Sequence, residues 1–202
     1  MGDVQVLKQW INPLYLVPET IQQVQKAFTS NAEVQSIQLG QFLLQSQAEK
    51  LVKALEKMKW QEAYIPHMYS HKLSSNESAL KELYTFLGTA GFKALLGTML
   101  KRELKTVTPK AFLFEHGDYT LMHDALEEKK HILCTFDFTM RWPENSGGQQ
   151  VFMHSSAEPL IFVPSFNALN IVSMSGDVRS FLKYVNCNAG KSKRFIVQVR
   201  ME

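Results

Sequence analysis

Apolar residues change their spacing once along this chain. From residue 18 to residue 100 they recur at every third or fourth position, and from residue 106 they gather in short runs parted by turn residues. A period of about 3.6 marks one face of a helix, and a period of about two marks one face of a strand. Pro18-Glu19 opens the first expected helix, which carries Ile21, Val24, Gln25 and Phe28 and should end at Asn31. Proline suits that first turn because the amide it lacks would have no partner there. Val34 to Leu44 alternates as a strand would. Ser46-x-x-Glu49 has the form of a capping box, and Ala48, Leu51, Val52, Leu55 and Met58 make one helical stripe behind it. A short extended piece, Trp60 to Tyr64, stops before Pro66. Asn76 is expected to cap a helix with Leu80, Leu83, Tyr84 and Leu87, and Thr89 another with Phe92, Leu95, Leu96 and Met99.

The second half reads as strands at Thr106–Thr108, Ala111–Phe114, Tyr119–His123, His131–Thr139, Gln150–Phe152, Leu160–Val163, Leu169–Ser173, Phe181–Cys187 and Phe195–Arg200. Many short strands divided by turns such as Pro143–Gly148 point to a sandwich or barrel. Helices first and strands second argue for an α+β fold with helices bracing one face of a barrel. The expectation is a single domain over 1–202, with a mainly helical layer at 1–105 and the barrel at 106–202.

Composition narrows the class without naming a function. With 45% hydrophobic and 20% charged residues among 202, the chain is ordinary globular material. Its net charge of +3 is mild, and Lys129-Lys130-His131 and Lys191-Ser192-Lys193-Arg194 read as solvated faces. A nucleic-acid partner is not signalled. No secretory leader is visible at Met1-Gly2-Asp3-Val4, and the apolar runs are too short to span a bilayer, so no membrane role is expected. Cys134 and Cys187 are expected as buried free thiols in a reducing compartment, cytoplasmic or nuclear.

Several spaced motifs carry more. Gly117-Asp118-Tyr119 precedes His123; Trp142 precedes Gly147-Gly148; Pro164 and Asn167 precede Leu169-Asn170-Ile171-Val172; and Arg194-Phe195-Ile196-Val197 lies near the end. Asn12-Pro13-x-Tyr15 and Leu39-x-x-Phe42-Leu43 lie in the first half. In this order they resemble the iron and 2-oxoglutarate dependent oxygenases of prolyl-hydroxylase type, in particular the ribosomal-protein prolyl hydroxylase branch. The resemblance implies a double-stranded β-helix (jelly-roll) barrel with the N-terminal helices packed on its outer face. It implies Fe(II) and 2-oxoglutarate as cofactors and a protein as substrate. It places His123 and Asp124 at the metal, and Arg194 with Asn167 at the 2-oxoglutarate pocket, Arg194 binding the carboxylate.

The pattern then breaks. A facial triad needs two histidines and a carboxylate, and a strand puts residues i and i+2 on one side. Two residues after His123 stands Ala125, and no histidine occurs between Ser155 and Glu202. Leu182 falls where the resemblance puts the distal histidine. His116-Gly117-Asp118 is a literal His-x-Asp, and His131, His154 and Asp137 could build a rearranged site; otherwise these histidines read as surface or loop residues. His67 and His71, four apart, would face a metal together on a helix, but Pro66 and Met68-Tyr69-Ser70 do not read as a helix interior, so both read as loop histidines. Arg194 has the alternative of being an exposed basic residue beside Lys191 and Lys193. If the barrel is closed, Met122, Phe136, Leu182 and Tyr184 would fill it.

The expected function is therefore a non-catalytic relative of the oxygenases, without cofactors, that binds a protein partner or serves as a complex subunit. The alternative is an active prolyl hydroxylase with an atypical iron site, for which Asp177, Tyr184 and Cys187 are poor third ligands. A jelly roll binding sugar or nucleic acid is a third class, and the lack of an aromatic-plus-basic cluster speaks against nucleic acid.

Overall fold

A computed structural model describes residues 2–30, 33–105, 107–121 and 130–202. The helices among them are α1 (Gly2–Trp10), α2 (Pro18–Ser30), α3 (Gln45–Lys57), α4 (Lys81–Leu87) and α5 (Ala90–Leu100). The strands are β1 (Ser36–Leu39), β2 (Trp60–Ile65), β3 (Tyr69–Ser74), β4 (Val107–Phe114), β5 (Tyr119–Thr120), β6 (His131–Asp137), β7 (Gln150–Met153), β8 (Leu160–Phe162), β9 (Ala168–Met174), β10 (Arg179–Leu182) and β11 (Arg194–Met201).

Local signals explain most of these boundaries. The Thr89 hydroxyl accepts the Phe92 amide at 3.2 Å and starts α5, which Lys101 closes in a left-handed conformation. Asn76 caps as expected, but its side chain accepts the Ser78 amide at the head of a 3-10 turn, Glu77–Leu80, that leads into α4. The expected capping box at Ser46 is not used: α3 begins at Gln45, with Leu44 as N-cap and no side-chain cap. The Glu49 carboxylate that would complete the box instead accepts the Gln45 side-chain amide at 2.8 Å. Asn31, the expected end of α2, lies outside the described residues.

Two elements were not legible as such, α1 and β3. Trp10 at the end of α1 stacks on Phe86, ring centroids 4.8 Å apart. The strand expected over Val34–Leu44 pairs only at Ser36–Leu39, because Gln41 takes a left-handed turn with φ 50°. The Phe181–Cys187 strand is likewise shorter and shifted, ending at Leu182.

One antiparallel sheet runs β1-β9-β6-β11-β4-β3-β2, with β5 also pairing β3, and a second runs β10-β7-β8. The first half of the chain is therefore not only a helical layer: it extends the larger sheet with β1, β2 and β3. The longest ladder joins β11 to β4 from Arg194↔Phe114 to Met201↔Val107. Alternation along β11 sends Phe195, Val197, Val199 and Met201 into the core beneath the helices, together with Phe28, Leu55, Phe86, Phe92, Leu96 and Met99. Phe136 of β6 joins that core, 6.1 Å from the Phe42 ring and 6.4 Å from the Phe92 ring. Each such side chain contributes roughly 1.5–3 kcal/mol on burial, so the helices are bound to the sheet by apolar area. This is the expected α+β jelly roll with helices on its outer face.

No single helix among the described residues is long and apolar enough to cross a membrane. Ser78–Leu87 and Ala90–Leu100 would qualify as a pair by length and composition but bend by 56°, and they bury their apolar side chains in the core. Both cysteines are free, yet only Cys134 is buried, its thiol pushed up to about 12 by burial. Cys187 is exposed, because it sits in a 3-10 turn beyond β10 and not on a strand.

Candidate functional site

The faces of β4, β6 and β11 turned away from the helices look across at the smaller sheet. Between the sheets lie two cavities, of about 400 Å³ and about 310 Å³, that share Lys110, Phe112, Ser180 and Gln198 as walls. Arg179 and Arg200 join Lys110 as cations on the larger one, which His131 also lines. Tyr69, His71, Phe114, Leu121, Leu182 and Ile196 line the smaller one. The barrel is thus open, and the side chains that would have filled a closed one do not fill it together. Phe136 points to the helices, Tyr184 is 52% exposed, and Met122 lies outside the described residues. Leu182 does pack inside, with Phe114, Val185 and Ile196.

The turn before β5 is locked by Asp118. Its carboxylate accepts the Ser70 hydroxyl and the Glu115 amide, both at 2.8 Å, while Gly117 supplies a positive φ of 95°. Lys72 Nζ reaches Glu115 at 2.5 Å and Asp118 at 3.8 Å. Burial alone would lower the Lys72 pKa, but these carboxylates outweigh it and raise it. The Gly117-Asp118 motif therefore works as a structural turn. Trp142 and the double glycine form another: Trp142 Nε1 donates to the Gly147 carbonyl at 3.0 Å, and a Cβ on Gly148 would meet the Trp142 ring at 3.0 Å.

His71 is on β3 and buried, so the expected loop position is corrected. Tyr69, Phe112 and Phe114 surround its ring at centroid distances of 4.9, 5.4 and 5.6 Å. Burial lowers its pKa, Asp118 opposes this, and Lys110 adds to it. Its Nδ1 has no hydrogen-bond partner among the described residues. His67 sits in the β2–β3 turn with φ 60°.

Arg194 is fully buried, and so is its partner: Arg194 Nη2 lies 3.1 Å from Asp137 Oδ2. It is not the exposed basic residue that Lys191 and Lys193 suggested, and it lines neither cavity. Asp137 also accepts the Thr139 amide at 2.9 Å and the Ser165 amide at 3.3 Å. Burial pushes the Asp137 carboxyl up and the Arg194 guanidinium down, and the charge of each opposes the shift of the other. Arg194 Nε and Nη1 have no hydrogen-bond partner among the described residues. Asn167 is buried in the left-handed region, φ 58°, which asparagine tolerates better than most residues. Its amide donates to the Leu43 carbonyl at 2.8 Å and accepts the Leu43 amide at 3.0 Å. Asn167 thus clamps the β1–α3 connection onto the sheet.

His123 and Asp124, the expected metal residues, lie outside the described residues, as does Ala125. His131 is buried at the head of β6 and lines the larger cavity, against its reading as a surface or loop residue. His116 is exposed in a turn, and His154 Nδ1 accepts the Ser156 amide at 3.3 Å. Asp177, Tyr184 and Cys187 are exposed and line neither cavity. No group of three or more His, Cys, Asp or Glu side chains that could hold a metal occurs among the described residues.

The described residues do not fit iron. The strand that should deliver a ligand, β10, turns Ser180 and Leu182 to the interior, and the Leu182 side chain is bound in an apolar cluster. Arg194 faces the carboxylate of Asp137 and lines neither cavity. Sequence reading missed Lys110, Arg179 and Arg200. The signal was present: Lys110 and Arg200 occupy the polar positions of otherwise apolar strands, Ala111 and Leu113 or Val197 and Val199 taking the core side.

Two antiparallel sheets with helices on one face define the class, the jelly roll of the 2-oxoglutarate and iron dependent oxygenases. Similar solved structures include a prolyl hydroxylase from Trichoplax adhaerens in complex with a hypoxia inducible factor oxygen degradation domain peptide fragment (TM-score 0.70, 12% identity, 91% of this chain and 89% of that one). A Pseudomonas putida prolyl-4-hydroxylase is also similar (TM-score 0.67, 12% identity, 89% of this chain and 98% of that one). So is a 2OG-Fe(II) oxygenase family protein from Burkholderia pseudomallei (TM-score 0.67, 11% identity, 90% of each chain). At such identities the likeness is one of fold. No curated protein matches the chain. The chain belongs to the family described as "Oxoglutarate and iron-dependent oxygenase degradation C-term", which matches residues 2–75 and 58–202.

Proposed function

We propose that this chain is a non-catalytic member of the oxygenase fold that acts by binding a protein, alone or as a subunit of a larger assembly in the cytoplasm or nucleus. The observation that carries the reading is the buried Arg194–Asp137 pair, 3.1 Å. It engages the arginine that the family pattern assigns to 2-oxoglutarate with a carboxylate of the chain itself, and leaves Asn167 as a structural clamp. Leu182 supports it, since a leucine offers no donor to a metal. Further support is the sequence itself, with Ala125 two residues after His123 and no histidine after His154.

A protein partner is supported by the peptide bound in the Trichoplax adhaerens structure. The word degradation in the family's description supports a partner whose turnover the complex controls. Fold alone carries no chemistry; here the fold would serve as a scaffold for recognition.

Anaerobic calorimetric titration with Mn(II) as an iron surrogate, with and without 2-oxoglutarate, tests this on the native chain and on His123→Ala. The expected result is no saturable heat for either protein. Micromolar Mn(II) binding that His123→Ala abolishes would overturn the proposal in favour of a hydroxylase with an atypical metal site.

A further inference from the structure

Among the described residues, the charged side chains that line the larger cavity are cations. Lys110 of β4, Arg179 at the start of β10 and Arg200 of β11 line it, and no carboxylate lines it among the described residues. Arg200 shares its Nε with Glu202 at 3.1 Å. Lys110 and Arg179 have no ion-pair partner among the described residues. A cleft lined by cations between low-dielectric walls focuses their potential and concentrates anions. Arginine adds a planar fork that suits a carboxylate.

The second cavity shares the Lys110, Phe112, Ser180 and Gln198 walls but has a different character beyond them. Phe114, Leu121, Phe181 and Leu182 give it an apolar side, facing Tyr69, His71 and Gln150. One strand spans both: β10 has Arg179 at the cationic end and Leu182 at the apolar end. Four strand residues cover roughly 10 Å at about 3.3 Å per step. A free dicarboxylate would meet the cations and leave the apolar side chains of the second cavity against water. An extended chain several residues long would fill both.

We propose that the cleft between the two sheets binds a short acidic peptide segment, with carboxylates toward Arg179 and Lys110 and an apolar side chain toward Leu121 and Leu182. This rests on the reading of the chain as a protein-binding module and names the chemistry of the partner. The binding term is electrostatic at one end and apolar at the other, so affinity falls with salt only in part.

The test is fluorescence anisotropy with a labelled peptide of alternating glutamate and leucine, beside its glutamine counterpart. Saturable binding of the acidic peptide is expected, at least tenfold tighter than the glutamine form. Arg179→Glu and Lys110→Glu should each weaken it at least tenfold, and Leu121→Ser should weaken it several-fold. All three side chains are at least partly exposed, so the variants should fold, which far-UV circular dichroism and a thermal melt establish. No binding, equal binding of the glutamine peptide, or indifference to both charge reversals would overturn the inference. So would displacement by free glutarate at concentrations equal to the peptide, which would make the cleft a small-anion site. Failure here leaves the metal titration unaffected, so loss of this inference is distinguishable from loss of the non-catalytic reading.

Discussion

Arg194 and Asp137 lie 57 residues apart in sequence and meet as a fully buried ion pair with 3.1 Å between Nη2 and Oδ2. They sit on adjacent strands, β11 and β6, where Ile196 is the register partner of Asp137. Removing water from both ions costs several kcal/mol each, and the pair recovers this only through its mutual attraction and through the Thr139 and Ser165 amides on the carboxylate.

Breaking the pair from one side should therefore be severe. Arg194→Met or Asp137→Leu alone should lose about 3–5 kcal/mol of stability, because the remaining charge stays buried without its partner. The double variant should lose far less than the sum of the two. Urea unfolding of the four proteins checks this, and additive losses would show that the two side chains do not act as a pair.

Asn167→Ala should cost about 2–4 kcal/mol. It strips both bonds from the Leu43 backbone and strains a left-handed residue. Asn167→Gly keeps the backbone conformation and should fall short of that loss by about 1 kcal/mol. Denaturant midpoints of the two variants separate the clamp from the backbone term.

The buried imidazole of His71 makes stability pH-dependent in one direction. Burial lowers its pKa from 6.5, so the unfolded chain takes up the proton before the folded one does. Stability from this group is present above 6.5 and is lost as pH falls from 6.5 to the lowered value. His71→Phe should flatten the fall in unfolding free energy between about pH 7 and pH 5. An unchanged slope would assign the dependence to other groups.

At Gly147 an added Cβ would lie 1.9 Å from the Tyr184 carbonyl oxygen, at a φ of +76°. Gly147→Ala should destabilise by more than about 2 kcal/mol. Gly176→Ala, where nothing lies within 4 Å of the new Cβ, is the matched control and should be near neutral. Thermal melts of the two show whether the Trp142–Gly148 turn is as constrained as its contacts indicate.

What the sequence alone determined follows from interactions between near neighbours. The helical stripes at Ala48–Leu55 and Phe92–Met99, the Thr89 cap and the short strands of the second half need only local periodicity and capping chemistry, and these stood in the sequence. The absence of any histidine after His154 was legible too, because a missing residue type needs no fold to be noticed. Tertiary structure decided what depends on register. Asn167 meets Leu43 across 124 residues, and Arg194 turns from a surface-looking cation beside two lysines into a fully buried charge, paired with the equally buried Asp137. His71 looked like a loop residue until β3 paired with β4 and enclosed it among three aromatic rings. The convergence of Lys110, Arg179 and Arg200 on one cleft likewise belongs to strand order, since residues far apart in the chain become neighbours only when antiparallel ladders set which side chains share a face.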